Sequence, residues 1–213
     1  MSEAIGAGRQ WASWRTAERR RLIAARLAMP ATERRRLARR IGAALDEVLA
    51  DVAGLVVAVY WPIRGEPDLR PWIESVRARG ARCALPVVVA GNAPLEFRTW
   101  QAGAPLARGV WDIPVPVDGA PVAPQVLIVP VVGFDAGGYR LGYGGGFYDR
   151  TLAAAAPRPF AIGVGASAAA LSSIDPQSHD IPMDAIVTEL GATDFRHQRP
   201  TVGPTFWMGE EIP

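Results

Sequence analysis

A glycine-rich loop between residues 133 and 150 (GFDAGGYRLGYGGGFYDR) carries the residue types best suited to chemistry on an anion. Glycines let backbone N–H groups approach a phosphate closely, and the helix predicted from Phe147 adds the unpaired N–H donors and positive dipole end of its N-terminus. Arg140, just before the glycines, offers a permanently charged, forked donor. Asp149 lies in the first helical turn, where a carboxylate beside phosphates is a common Mg²⁺ ligand. The loop therefore favours a polyanion site.

The loop matches neither of two widespread phosphate-binding motifs. A P-loop ends in Gly-Lys-Ser or Gly-Lys-Thr, and this chain contains no lysine. The dinucleotide-binding fingerprint requires a glycine at position 147, where Phe147 stands. Spacing alone leaves two interpretations open, which are a phosphate site of another class and a strand–helix turn that binds nothing.

Strands and helices that alternate along the chain must position this loop. The apolar, β-branched run at 126–132, directly before the loop, is typical of a strand buried on both faces of a sheet. Other runs predict strands at 55–60, 81–89, 95–100, 160–165 and 185–188. Helical spacing predicts helices at 13–29, 33–50, 70–79 and 147–156. We expect Thr32 to cap the second helix, 101–124 to be mostly loop, and 166–171 to be a short helix or turn.

This alternation predicts an α/β fold, a three-layer sandwich with a mostly parallel central sheet and an arginine-rich helical N-terminus. In such sheets ligands bind beyond the carboxyl ends of the strands. The loops that follow residues 60 and 132 meet this condition.

Length and composition indicate one soluble domain spanning 1–213, with peripheral segments at 1–12 and 195–213. The chain has no apolar run long enough for a membrane helix and no signal-peptide core, and we expect no membrane association. Its single cysteine, Cys83, excludes an internal disulfide framework and suits a reducing compartment. We expect a cytoplasmic monomer.

The charge is unevenly distributed along the chain. All 23 basic residues are arginine, and the first 40 positions hold eleven of them against three glutamates, so that segment carries a net charge of +8. A basic block of this kind attracts nucleic acid, or equally lines the mouth of a nucleotide site. We interpret Arg35 and Arg36 as the solvated face of the second helix.

Three ordered segments resemble the 5-formyltetrahydrofolate cyclo-ligase family, also called methenyltetrahydrofolate synthetase. The loop at 133–150 is similar to the family's ATP-binding signature, YWPIRGEPDLRPWI at 60–73 to its substrate-side loop, and SHDIPMDAIVTE at 178–189 to its C-terminal acidic motif. The resemblance implies a Rossmann-like fold of the NagB/RpiA/CoA transferase-like type. It also implies the ATP- and Mg²⁺-dependent cyclisation of 5-formyltetrahydrofolate to 5,10-methenyltetrahydrofolate, with release of ADP and phosphate.

The resemblance also implies roles for individual residues. Arg140 and Tyr148 would be catalytic, and Asp149 and Asp180 would ligate Mg²⁺. Folate contacts would come from Trp61, Glu66, Tyr143 and Tyr148. ATP contacts would come from Arg15, Arg19, Arg140, Leu141, Gly142, Tyr143, Gly144, Gly145, Gly146, Phe147 and Tyr148. Because Arg15 and Arg19 are four residues apart, one helix face can present both.

Two departures from the family pattern bear on activity. Val115 replaces a common acid, and a common glutamine is missing near Ala169. They keep two alternatives open, which are a non-catalytic relative that binds nucleotide or RNA through the N-terminal arginines and a different ATP-dependent enzyme on the same scaffold. Because the phosphate loop is intact, we favour the enzyme interpretation and regard nucleic acid as an unlikely partner.

Overall fold

The computed structural model describes residues 2–196, and it describes side chains from residue 11 onward. A seven-stranded sheet forms the centre of the described part. Its strands are β1 (Val56–Ala58), β2 (Arg82–Val87), β3 (Glu96–Thr99), β6 (Val126–Pro130), β9 (Phe160–Val164), β10 (Ala185–Thr188) and β11 (Gly191–Asp194). Two short pairs accompany it, β4 (Leu106–Arg108) with β5 (Pro114–Pro116) and β7 (Gly133–Phe134) with β8 (Arg140–Leu141). The helices are α1 (Ser2–Ala28), α2 (Ala31–Val48), α3 (Arg70–Ala78) and α4 (Phe147–Ala154).

The central sheet has the strand order β11-β10-β9-β6-β1-β2-β3. Its five inner strands are mutually parallel, and the edge strands β3 and β11 pair antiparallel with their neighbours. The predicted α/β fold with a mostly parallel sheet is therefore confirmed. Because β1 and β6 are parallel neighbours, the loops that follow them emerge at the same edge of the sheet.

Alternating strand residues divide the core into two layers of side chains. Val57 of β1 faces one layer together with Ile41 and Leu45 of α2 and Ile73 of α3. Val56 faces the opposite layer, which includes Leu152 of α4. Helices therefore cover both faces of the sheet, as expected for strands buried on both sides. A smaller cluster joins Leu22 of α1 to Val132, Leu141 and Ile174 and holds α1 beside the glycine loop.

Several boundaries differ from the sequence-based expectations. Helix α1 begins at Ser2, so the predicted start at Ser13 is wrong. Pro30 occupies the N-cap of α2, and the expected side-chain cap from Thr32 is not formed. The segment 101–124, expected to be loop, contains β4, β5 and a 3₁₀ turn at Val110–Asp112.

The C-terminal end also differs from the prediction. Strand β11 was not predicted at all. Phe195, assigned to a peripheral tail, is buried in the α4-side core. Among the described residues, no helix is long and apolar enough to cross a membrane.

Candidate active site

Asp135 fixes the first part of the glycine loop, which leaves the sheet beyond β6. Its buried carboxylate accepts hydrogen bonds from the Gly137 and Tyr139 N–H groups at 3.0 and 3.2 Å through Oδ1. Its Oδ2 accepts a third bond, at 3.0 Å, from the N–H of Ile174. This side chain therefore shapes the β7–β8 turn and ties it to the segment that leads to Asp180.

The glycines permit the tight turn into α4. Gly144 and Gly146 have φ of +94° and +64°, a region that residues with a Cβ rarely adopt, and Gly146 is the N-cap of α4. The Arg150 side chain braces the turn by donating to the Gly145 carbonyl at 2.8 Å. The backbone of this loop is thus held at a helix N-terminus, which is a suitable place for an anion.

Arg140 is buried and bonded to protein groups on both terminal nitrogens. Nη2 lies 2.9 Å from Asp149 Oδ1, and Nη1 donates to the Ile181 carbonyl at 2.8 Å. Asp149 Oδ1 in turn accepts the Ile181 N–H at 3.0 Å. These three residues clamp β8, α4 and the 178–189 segment together. The predicted phosphate arginine and a predicted metal ligand therefore form an ion pair.

Arg15 forms a second buried pair with Asp180. Its Nη2 lies 2.6 Å from Asp180 Oδ2, and the guanidinium also donates to the carbonyls of Ile174 at 3.0 Å and Asp175 at 2.8 Å. Burial raises the pKa of Asp180, but hydrogen bonds from Arg15 and the Gln177 N–H outweigh it, so the pKa lies below its usual value. Arg15 thus anchors α1 to the 171–183 segment.

Arg19 lies one helical turn further along α1, directly against the glycine loop. Its Nε donates to the Gly142 carbonyl at 2.7 Å. A Cβ placed on Gly144 would lie 3.5 Å from its Cζ, so the guanidinium lies against that glycine. Burial, and then the positive charge of Arg15, lower the pKa of Arg19, although Asp180 acts in the opposite direction. Of the two predicted N-terminal arginines, Arg19 is the one in contact with the loop glycines.

Glu66 lies buried in the loop after β1 and reaches the glycine loop. Its Oε2 accepts the Ile63 N–H at 2.8 Å, and its Oε1 accepts the Tyr143 hydroxyl at 2.8 Å. Arg26 of α1 donates to the same hydroxyl at 2.6 Å. The structure therefore joins the predicted substrate-side glutamate to a predicted ATP-side tyrosine.

The remaining predicted residues lie around these clusters. Trp61 packs edge-on against Trp100 with ring centroids 5.9 Å apart, and Arg70 stacks on its ring. Tyr148 packs against the α4-side core, and burial, followed by the charge of Glu66, raises the pKa of its hydroxyl. Leu141 is fully buried, so its side chain serves packing.

Phe147 forms one wall of an open cleft of about 360 Å³ beside Gly145. The exposed ring of Trp111 meets it edge-on at 5.6 Å. Trp111 has a φ of +57°, which a bulky residue adopts only under strain, and such strain is frequent at functional sites.

The geometry bears on whether Mg²⁺ fits. No cluster of three or more His, Cys, Asp or Glu side chains suited to a metal occurs in the described part of the chain. Asp149 makes both of its contacts with Arg140 and Ile181 through Oδ1. Asp180 uses Oδ2 for Arg15 and the Gln177 N–H, and its Oδ1 also faces Arg15 at 3.4 Å. Mg²⁺ is usually held by one or two carboxylates plus substrate phosphates. Asp149 uses one carboxylate oxygen for these contacts and Asp180 uses both, so Asp149 fits such an ion better.

Sequence reasoning assigned no role to Arg26 or Arg150. Arg26 follows Arg19 by seven residues, which is two helical turns, so both project from the same face of α1. That spacing was the available signal. For Arg150 the signal was its place at the end of the glycine motif, five residues after its partner Gly145. Its other partners, at residues 91 and 93, are remote in sequence.

A strand–loop–helix turn suited to an anion is joined through the Tyr143 hydroxyl to the acidic loop after β1. This places the chain among α/β proteins whose candidate site lies beyond the carboxyl ends of parallel strands. The characteristic pattern of the 5-formyltetrahydrofolate cyclo-ligase family matches residues 12–189, and the chain belongs to that family.

Relatives of known name agree with this assignment. The 5-formyltetrahydrofolate cyclo-ligase of Mycolicibacterium smegmatis is 32% identical over 145 residues, covering 64% of this chain and 75% of its own. The Escherichia coli K12 protein of the same name is 37% identical over 141 residues, covering 62% of this chain and 76% of its own.

Solved structures show the same fold. The 5,10-methenyltetrahydrofolate synthetase of Aquifex aeolicus superposes with a TM-score of 0.74 at 28% identity, over 92% of this chain and 99% of its own. The synthetase of Mycoplasma pneumoniae gives a TM-score of 0.68 at 22% identity, over 82% and 98%, a likeness that supports the fold alone.

Proposed function

We propose that this protein cyclises 5-formyltetrahydrofolate to 5,10-methenyltetrahydrofolate, with Mg²⁺-dependent conversion of ATP to ADP and phosphate. Family membership supports the substrate class. One structural observation supports the transfer between two bound substrates, namely the hydrogen bond between Tyr143 and Glu66. It joins the glycine loop to the substrate-side loop, and a reaction that transfers a phosphoryl group between two bound substrates requires these two sites to be adjacent.

The chemical difficulty is that a formamide oxygen is a poor leaving group. In the proposed reaction the formyl oxygen attacks the γ-phosphorus and ADP departs, which gives an iminium phosphate. The neighbouring ring-forming amine then attacks the formyl carbon and loses its proton, and the C–O bond breaks with release of phosphate. Phosphoryl transfer of this kind needs positioning and charge neutralisation more than covalent chemistry by the protein.

The glycine loop and Arg19 supply the phosphate contacts in this scheme. Backbone N–H groups of residues 142–147 bind the phosphates at the N-terminus of α4, and Arg19 adds a positive charge against Gly144. Asp149 would hold Mg²⁺ together with phosphate oxygens, and the ion would neutralise charge on the transferring group. Arg140 orients the Asp149 carboxylate through the ion pair between them.

Asp180 has a different part. Its ion pair with Arg15 fixes α1 over the loop. We propose that both residues act mainly by keeping Arg19 in contact with the glycines. In that case Asp180 would contribute to metal binding only after it exchanges Arg15 for the ion.

The folate contacts are proposed for the loop that follows β1 and for the residues that meet it. Glu66 accepts hydrogen bonds from N–H groups of the reduced folate, and Trp61 contributes apolar surface. A tyrosine hydroxyl is protonated at neutral pH, and burial raises the pKa of Tyr148 further. This side chain therefore acts as a neutral hydrogen-bond donor towards the formyl group.

The test is absorbance in the methenyl-folate band, recorded with 5-formyltetrahydrofolate, ATP and Mg²⁺, leaving out each component in turn. We expect the band to appear only in the complete mixture, together with stoichiometric ADP. ADP release that does not depend on folate would favour another ATP-dependent reaction on this scaffold. Nucleotide binding with no turnover would favour a non-catalytic relative.

A further inference from the structure

Arg26 occupies the junction of three chain segments that the reaction must coordinate. Its Nη2 donates to the Tyr143 hydroxyl at 2.6 Å, and its Nε donates to the Arg64 carbonyl at 3.0 Å. Its guanidinium also lies 6.0 Å from the centroid of the Tyr143 ring. One side chain on α1 therefore touches both the glycine loop and the loop that carries Glu66.

The backbone at this junction is built for close approach. Gly65, next to Glu66, has a φ of +76°, and a Cβ on it would lie 3.4 Å from the Arg26 carbonyl oxygen. Glycine is the residue that accepts this conformation without steric cost. The substrate-side loop is thus seated against α1 at the point where Arg26 reaches across to Tyr143.

The Tyr143 hydroxyl is arranged as a relay between a cation and a carboxylate. It accepts a hydrogen bond from Arg26, so its own proton is directed to Glu66 Oε1. With Oε2 bound to the Ile63 N–H, both carboxylate oxygens of Glu66 have fixed donors. The plane of the carboxylate is therefore set from two sides.

We propose that Arg26 is a positioning residue that, through the Tyr143 hydroxyl, holds the Glu66 carboxylate in one orientation for the substrate and couples the phosphate loop to the folate side. This inference rests on the proposed function for the identity of the substrate. It adds a residue for which the sequence motifs assign no role.

Electrostatics act in the same direction as the geometry. Burial raises the pKa of Glu66. Four groups oppose this rise, namely the Ile63 N–H, Arg26, the Tyr143 hydroxyl and Arg64. The charge of Glu66 also raises the pKa values of two nearby hydroxyls, those of Tyr60 and Tyr148. Removal of Arg26 takes away a charge that favours the ionised carboxylate, so the pKa of Glu66 must rise further.

The experiment uses the full chain and the variants Arg26→Met, Tyr143→Phe and the double variant, with Arg20→Met as the matched control. Arg20 lies on the same helix and is exposed. We expect Arg26→Met to raise the KM for 5-formyltetrahydrofolate by about tenfold, as for loss of a hydrogen-bonded charge, and the KM for ATP by less. Because Arg26 acts largely through the Tyr143 hydroxyl, the loss in the double variant should be clearly smaller than the product of the two single losses. Arg20→Met should match the wild type.

The pH profile separates positioning from a merely structural role. In Arg26→Met and Tyr143→Phe the acid limb of kcat/KM for folate should move to higher pH, because Glu66 is protonated earlier. An NMR titration of carbon-13-labelled glutamate carboxyls, assigned with Glu66→Gln, should show the same rise without any turnover.

The outcomes distinguish this inference from the proposed function. If the wild type forms no methenyl product, the proposed function fails, while the NMR titration still reports whether Arg26 controls Glu66. Three results would each overturn the role of Arg26: an unchanged pKa of Glu66, an unchanged folate KM in an active protein, or single effects that simply multiply in the double variant.

Discussion

Replacing Arg140 by methionine distinguishes two possible roles of this arginine, which are to position Asp149 and to act directly on the transition state. Methionine keeps much of the aliphatic volume and removes the guanidinium. The guanidinium binds Asp149 at 2.9 Å and the Ile181 carbonyl at 2.8 Å, with the Arg140 side chain only 5% exposed and that of Asp149 19% exposed. The change therefore leaves a mostly buried carboxylate without its cation.

The cost follows from that burial. Removing one partner of a buried ion pair costs about 3–5 kcal/mol, and the partial exposure of Asp149 places this site near the lower figure. For a chain of this length, about 3 kcal/mol lowers Tm by roughly 6–12 °C. Because the same pair orients Asp149 and the start of α4, we expect ATP affinity and turnover to fall together with Tm.

The assays are thermal unfolding, ATP binding and turnover on one preparation, with Arg158→Met as the control. Arg158 also lies 2.9 Å from an aspartate, Asp184. Asp184 in turn accepts the Ala161 N–H at the start of β9, so this pair lies at the opposite edge of the sheet from the glycine loop. The control should lose stability while the folded fraction keeps wild-type kcat and KM. If Arg140→Met keeps the wild-type Tm and ATP affinity yet loses about a hundredfold or more in turnover, Arg140 acts directly on the transition state and our positioning role is wrong.

Other parts of the chain give independent predictions. Arg19→Met should raise the KM for ATP more than the KM for folate, with little change in Tm. Arg35→Met, at an exposed position, should change neither KM. Equal rises in KM in both variants would indicate a diffuse electrostatic role. Burial raises the pKa of Cys83 to about 12, so its thiol should resist iodoacetamide at pH 8 and react once urea unfolds the chain; rapid reaction of the native protein would contradict its burial. Burial raises the pKa of Glu189, but hydrogen bonds from the Ser167 hydroxyl and N–H outweigh it and bring the pKa below 4.5. The stability that Ser167→Ala removes should therefore be present above pH 4.5 and vanish as the pH falls through the lower folded-state pKa, as measured by urea unfolding at several pH values; a pH-independent difference would exclude this linkage.

The sheet was predictable because its inner strands are buried on both faces and must be apolar and β-branched. The strands that the sequence did not predict are not buried on both faces, so they need not be apolar and β-branched. Strand β11 (GATD) lies at an edge with three of its four residues exposed, and β4 and β5 are three residues each, so none of them has enough period to be recognised. The start of α1 at Ser2 was missed because glycines at 6 and 8 weaken the helical pattern there.

The site was predictable in its residues and much less in its pairings. The glycine loop can be recognised from the sequence because its residues are close together along the chain. The pair between Arg15 and Asp180 joins residues 165 apart in sequence, and no local pattern records such a contact. Three-dimensional proximity also explains why two predicted metal ligands proved to be ion-paired to predicted phosphate contacts. Arg26 acquires its role only once the fold brings Tyr143 beneath α1.

The central claim is that the γ-phosphoryl group passes to the formyl oxygen of the folate. It is tested most directly with substrate carrying a heavy-oxygen label in the formyl group, followed by mass spectrometry of the phosphate released with the methenyl product. We predict that each phosphate formed carries one labelled oxygen. Methenyl product accompanied by unlabelled phosphate, with the label recovered in water, would contradict the proposed route.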